Sequence, residues 1–245
     1  ATVDIDGAAF GVGGRVGLSY RPPKLSTFAF GISYRSPVGL DFSGEADFDA
    51  PVAYRGALPP DGDVDTSVTL PQILTVGVVV SPVEALEIEL DVNWRGWSSY
   101  DELRADLPGG AVERQPKDWY NSWTVRLGGE YTFVERYSVR AGMVWDQAPV
   151  PSNRLDFQVP DADRIDFAVG FGAKVTDQLS VDLAGLWVLP QQRLTSMSDP
   201  LEPPVKGEFD INVLVLALSV GVALETIGAP PPDSGIDSAS LATGD

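Results

Sequence analysis

The chain has 245 residues, no cysteine and no histidine, with 44% hydrophobic and 21% charged side chains and a formal net charge of −18. That balance excludes a disordered chain, a disulfide or thiolate-metal framework and a nucleic-acid-binding face, which needs clustered Lys and Arg. Without histidine there is no Ser-His-Asp or other His-assisted site, so the chain is read as a non-enzyme with no catalytic residue, metal or cofactor. The longest nearly uncharged apolar run, 211–224, is shorter than the roughly 20 residues a spanning helix needs. The first residues lack the basic start, apolar core and cleavage site of a signal peptide, which fits a mature exported chain or a fragment.

Nine segments alternate apolar and polar residues: 10–21, 27–40, 68–80, 86–97, 119–133, 137–146, 164–175, 179–189 and 207–224. A period of two puts alternate side chains on opposite faces of a strand. The first segment sets Val16, Leu18 and Tyr20 against Arg15, Gly17, Ser19 and Arg21. Its glycines, 11, 13, 14 and 17, resemble a phosphate loop, but the spacing fails and no helix follows; they read as strand glycines that let side chains or a plug approach. The second segment alternates Phe28, Phe30, Ile32 and Tyr34 with Ala29, Gly31, Ser33 and Arg35. In 61–72, Asp61, Asp63 and Asp65 resemble a calcium loop, yet its sixth position is Thr66 and its twelfth Gln72, so a solvated loop is expected. The segment 86–97 has the clearest pattern. Leu86, Ile88, Leu90, Val92 and Trp94 share one face, and Glu87, Glu89, Asp91, Asn93 and Arg95 share the other. This fits a strand of about 9–11 residues with lipid outside and water inside.

The connections alternate in length. Those at 22–26, 81–85, 134–136 and 176–178 are short, and those at 41–67, 98–118, 147–163 and 190–206 are long. In an up-and-down barrel successive turns fall on opposite rims, and outer-membrane barrels have short periplasmic turns and long extracellular loops. A soluble β-sandwich, the competing fold, has no reason to segregate loop length. Aromatics near segment ends, among them Trp94, Trp123, Tyr131, Tyr137 and Trp145, fit girdles at two membrane interfaces. The fold expected is all-β, an antiparallel transmembrane β-barrel. Nine is an odd count, whereas single-chain bacterial barrels have even numbers and an open edge in lipid is costly. The expectation is therefore the C-terminal part of a longer barrel, cut within an extracellular loop.

By phase, Arg15, Arg35, Arg126, Arg140 and Lys174 point into the lumen among Glu87, Glu89, Asp91, Glu130, Asp166 and Asp182. Most are expected to form cross-strand ion pairs, with one or two cations left to hold a substrate carboxylate. Arg114 and Lys117, at the rim, are further candidates. The last two segments put Leu186, Val188, Leu214, Leu216, Leu218 and Val220 inward, either as a greasy path or because a bulge inverts the phase. The candidate substrate-binding set is Arg114, Lys117, Arg126, Arg140, Leu186, Leu214 and Leu216.

Several motifs carry a resemblance in their order and spacing. They are Thr69-Leu70-Pro71-Gln72, Leu90-Asp91-Val92-Asn93-Trp94, Arg126-Leu127-Gly128-Gly129-Glu130-Tyr131, Asp146-Gln147-Ala148-Pro149-Val150-Pro151, Pro160-Asp161-Ala162-Asp163-Arg164 and Ser180-Val181-Asp182-Leu183. Over 10–224 the chain resembles the C-terminal half of the FadL/TodX family of outer-membrane transporters for long-chain fatty acids and hydrocarbons. The resemblance implies a 14-stranded barrel with an N-terminal hatch, of which these would be the last nine strands. It implies substrate entry through an extracellular groove, a lumenal pocket and a lateral exit. The organisation expected is a partial barrel over 1–225 and a disordered tail over 226–245, unlike family members that finish on an aromatic residue read by the assembly machinery. The function implied is passive uptake of long-chain fatty acids or other hydrophobic compounds. A general diffusion porin or a non-functional barrel fragment is the alternative. The location implied is the outer membrane of a Gram-negative bacterium, long loops outward. The partners implied are a hydrophobic small molecule, outer-membrane lipid and lipopolysaccharide, and the barrel assembly machinery, with no nucleic acid.

Overall fold

The computed structural model describes residues 2–56, 58–155, 161–190, 193–194, 208–209 and 212–223. In chain order the strands are β1 (Thr2–Ala8), β2 (Arg15–Tyr20), β3 (Phe28–Arg35), β4 (Val38–Asp49), β5 (Gly62–Leu70), β6 (Ile73–Val83), β7 (Leu86–Arg95), β8 (Glu102–Asp106), β9 (Val112–Pro116), β10 (Ser122–Phe133), β11 (Tyr137–Asp146), β12 (Arg164–Lys174), β13 (Leu179–Pro190), β14 (Arg193–Leu194), β15 (Glu208–Phe209) and β16 (Val213–Val222). A one-turn helix α1, Val52–Arg55, lies between β4 and β5.

Nine strands form one sheet in the order β2-β3-β6-β7-β10-β11-β12-β13-β16. Each pairs antiparallel with its neighbours, through short turns on one rim and long connections on the other. β2 and β16 are the edges, so the wall does not close among the described residues. Cross-strand partners share a face, and the register strings the apolar residues of one strand to those of the next. Tyr34 pairs with Leu74, Leu74 with Trp94 and Trp94 with Trp123.

That apolar face is not a protein core. The buried hydrophobic residues among those described are Ala46, Phe48, Val64, Val150 and Leu155, and none belongs to the nine-stranded sheet. Leu18, Ile32, Leu90, Phe167 and Val169 are exposed instead. A sheet that turns its apolar face outward and its charged face inward has lipid as its packing partner, which rules against the soluble sandwich. Aromatics mark both rims of this face. Trp94 and Trp123 are in register near the long connections, and Tyr137 stacks between Phe133 and Phe171 near the short turns.

The long connections hold more structure than expected. Strands β1-β4-β5-β8-β9 make a second antiparallel sheet from residues anticipated as plain loops and from the segment before residue 10. Segments 27–40 and 68–80, read as single strands, each break in two. The β3–β6 ladder ends at Arg35 with Ile73, and the β4–β5 ladder resumes at Val38 with Leu70. Pro37 and Pro71 sit in the gap, where a residue without an N–H cannot hold a ladder bond. One hairpin thus leaves the wall and continues outside it around Ala46, Phe48 and Val64, with Leu58 and Leu107 packed against them. The first wall strand starts at Arg15 rather than residue 10. Gly11 lies in the link before it, where a Cβ would come within 2.5 Å of Val38 Cγ1 and 2.6 Å of the Gly39 carbonyl oxygen. Its role is therefore close passage over the start of β4, not lumenal space. The tail 226–245 and most of the 190–206 connection lie outside the described residues.

Asp61, read in sequence as part of a loop with calcium-like spacing, is committed elsewhere. It accepts hydrogen bonds from the Phe48 N–H and from Arg55, each at 2.8 Å. The Phe48 N–H, and then the Arg55 charge, hold its carboxyl below the ordinary range. A lowered folded-state pKa gives stability that is present above the unfolded value, about 3.9, and is lost as pH falls through the folded one. The Phe48 amide should therefore stay protected in hydrogen exchange down to about pH 4 and open only below it. Asp61→Asn should weaken that protection already at neutral pH. Equal protection in both proteins at neutral pH would refute the pairing.

Candidate functional site

The inner face holds the charges, and small residues make room between them. Glu87, Glu89 and Asp91 stand in a row on β7 and form a ridge with a trough on each side. On one side a trough of about 490 Å³ runs across β10 to β13, floored by Gly128, Gly142, Ala168, Gly170 and Ala184. On the other a trough of about 460 Å³ runs across β6 to β2, floored by Gly17, Ser19, Ala29, Gly31, Ser33 and Gly77. Cross-strand pairing creates the first floor. Gly128 faces Gly142, Gly142 faces Ala168, and Gly170 faces Ala184. With no side chain longer than a methyl on three adjacent strands, the lumen reaches the backbone.

Below the trough, toward the short turns, Arg140 is held on both sides. It pairs with Glu130, its register partner on β10, and with Asp182 at 2.7 Å on β13. To reach Asp182 it crosses β12 at Gly172, where a Cβ would stand 2.6 Å from the carboxylate and 3.1 Å from Arg140 Nη1. Gly172→Val should sever the Arg140–Asp182 arm and spare the Glu130 arm. The groups are 44% and 37% exposed. The cost in urea unfolding should therefore resemble that of a surface pair, about 1 kcal/mol or less. A loss above about 2 kcal/mol would mean that the glycine serves the backbone instead.

Above the trough, near the long connections, Asp146 gathers three strands. It accepts from Thr124 Oγ1 at 2.5 Å and from Arg95 at 3.2 Å, and pairs with Arg164. Arg164 also lies 3.8 Å from Asp166. The sequence reading missed this hub. Its signal was available, because Asp146 and Arg164 are directly opposite at the ends of two adjacent strands.

The sequence candidates separate. Arg126 and Arg140 both line the 490 Å³ trough. Arg126 is half-buried, and its side chain makes no hydrogen bond or ion pair with any described residue, although it is in register with Asp91. Asp91 leans the other way, into the space that a Cβ on Gly77 would take. Arg114 lies on β9 in the outer sheet, paired with Glu102 at 3.1 Å. Lys117 is buried beside it, its backbone N–H bonded to the Asp101 carbonyl at 2.6 Å. Neither lines the trough. Leu186 faces inward, opposite Ala168. Leu214 and Leu216 do not: they pair with Trp187 and Gly185, which puts them, with Leu218 and Val220, on the lipid face. The inward residues of β16 are Val213, Val215, Ala217, Ser219 and Gly221. Almost every residue of this strand is apolar or small, so its periodicity does not reveal its face; the partner strand does.

The geometry so described has relatives. Residues 2–223 match the model of the family described as outer membrane protein transport protein (OMPP1/FadL/TodX). The chain belongs to that family. It is 26% identical over 188 residues to the long-chain fatty acid transport protein of Salmonella typhi, covering 73% of this chain and 43% of that protein. It is 29% identical over 179 residues to outer membrane protein P1 of Haemophilus influenzae, covering 73% of this chain and 38% of that one. The chain therefore spans less than half the length of these relatives. Among solved structures, a FadL homologue of Pseudomonas aeruginosa superposes with a TM-score of 0.76 at 21% identity, over 85% of this chain and 51% of that one. The toluene transporter TodX of Pseudomonas putida gives 0.57 at 18% identity, over 86% and 48%. The nine-stranded sheet is thus an outer-membrane barrel wall of the FadL/TodX type, and the resemblance seen in the motifs holds along nearly the whole chain.

Proposed function

We propose that this chain forms part of the wall of a passive outer-membrane passage for long-chain fatty acids or other hydrophobic compounds. The observation that carries the reading is the trough floored by Gly128, Gly142, Ala168, Gly170 and Ala184, a smooth apolar surface beside the charged ridge of β7. Such a surface gives an apolar body contact area with few hydration waters to strip from polar groups, as binding sites for hydrophobic ligands do. No residue here is asked to make or break a bond. Lipopolysaccharide around the outer sheet and the machinery that inserts barrels are the further partners of this reading.

The test is uptake by the native protein in a host that lacks its own outer-membrane fatty-acid transporter. Labelled oleate and an alkylbenzene should enter faster with the protein than without it, and a hexose should not. Ala168→Trp, which fills the trough without adding charge, should abolish most of that gain. Equal entry of the hexose would favour a general diffusion porin.

A further inference from the structure

The charged side chains that line the trough are unevenly paired. Among the residues that line it, Arg140 is spent on Glu130 and Asp182. That leaves Arg126 as the one lining cation with no partner among the described residues. Three carboxylates on the β7 ridge also lack a cation: Glu87, Glu89 and Asp91 make no ion pair with any described residue, and all three line the same trough. Asp91 is directly opposite Arg126 in register, and Glu89 is opposite the next inward residue, Gly128. Side chains at such positions lie about 5 Å and 7–8 Å apart at the level of their first carbons. A ligand oxygen that reaches Arg126 is therefore also within reach of at least one ridge carboxylate.

Building on the transport reading above, we infer that this trough takes a hydrophobic compound with an uncharged hydroxyl head, an alcohol or a phenol, in preference to a carboxylate. Arg126 donates to the head-group oxygen. Glu89 accepts the hydroxyl proton, while Asp91, turned toward Gly77, adds its negative charge to the ridge. The body lies on the Gly128–Gly142–Ala168 floor. A carboxylate head gains the guanidinium but has no proton to offer the ridge, and it brings a fourth negative charge beside three. An ammonium head gains the ridge but meets Arg126. A hydroxyl alone satisfies both sides, because it donates and accepts through one atom.

Two probes that differ only in the head separate these cases. They are 4-butylphenol and 4-butylbenzoate, titrated against the detergent-solubilised native protein at about pH 8, where a phenol of pKa near 10 is neutral and a benzoate is charged. The phenol should bind at least about tenfold more tightly. Arg126→Gln should weaken the phenol about fivefold or more. Glu89→Gln combined with Asp91→Asn should tighten the benzoate about tenfold and close the gap between the probes. Heat-modifiable gel migration of each variant checks that the barrel remains folded. Benzoate binding as tightly as the phenol, or a ratio unmoved by the double variant, overturns the inference. So does tighter binding of 4-butylbenzylamine. If neither probe binds while hydrophobic compounds still enter cells, the inference falls and the transport reading stands. If neither binds and nothing enters, both fall.

Discussion

Asp146→Ala is expected to lower the stability of the native barrel by about 2–4 kcal/mol, the largest effect of any single inward substitution in the wall. Asp146 is nine-tenths buried in the lumen and serves Thr124, Arg95 and Arg164 from three other strands. Removing it leaves two guanidinium groups side by side with their shared anion gone. The full penalty for an uncompensated buried ion is about 3–5 kcal/mol; Arg164 has Asp166 as a second partner and is 41% exposed, so water in the lumen recovers part of it. The remedy is as diagnostic as the damage. Adding Arg164→Gln to Asp146→Ala should restore part of the loss, because the second substitution removes the charge that the first left stranded. Urea unfolding followed by tryptophan fluorescence reads both. A single variant within about 0.5 kcal/mol of wild type would show the cluster to be fully hydrated and mechanically idle.

What could be read in the sequence depended on how far apart the interacting residues lie. The segment 86–95 declared itself, because five polar side chains in strict alternation leave one solution for each face. The alternation of short and long connections then fixed the order of all nine wall strands without any pairing information. β16 is the contrary case. Its run of Val, Leu and Ala gives both faces the same character, so the sequence left the inward phase of Leu214 and Leu216 open to inversion, and the register with β13 puts them on the lipid face. The outer sheet was present in the sequence and was masked. Leu40, Phe42, Ala46 and Phe48 alternate with Asp41, Ser43, Glu45 and Asp47, but the density of acid suggests a solvated loop. The prolines at 37 and 71 were equally visible, yet that they break the same hairpin at the same height is known only once Arg35 is seen opposite Ile73. For the site, phase alone placed Arg126 and Arg140 inward. That Arg140 is occupied and Arg126 has no partner among the described residues depends on a reach of 42 residues in sequence to Asp182 and on an open glycine between them.

Gly44→Ala should detach β1 from the outer sheet. Gly44 is opposite Gly7 in the β1–β4 register. A Cβ on it would land on the Asp6 carbonyl oxygen, with Gly7 Cα at 2.7 Å and Asp6 C at 2.8 Å. All three are backbone atoms, so no change of rotamer relieves the contact, and one of the two strands must retreat. β4 is held on its far side by nine register pairs with β5 and by the packing of Ala46 and Phe48 against Val64. β1 is the sheet edge, with seven pairs on one side only, and its Asp6 stands directly opposite Glu45, a like-charge pairing that weakens a ladder. β1 is therefore the strand that gives way. Overpacking of this kind costs about 1–3 kcal/mol, and each 1.4 kcal/mol is tenfold in an opening equilibrium. Hydrogen exchange by mass spectrometry on the native protein should show amides of Thr2–Ala8 exchanging about ten- to a hundredfold faster, with β10 and β11 unchanged. Faster exchange in β4 and β5 with β1 still protected would mean that the edge strand is anchored by contacts outside this sheet, and the ranking of the two strands would be reversed.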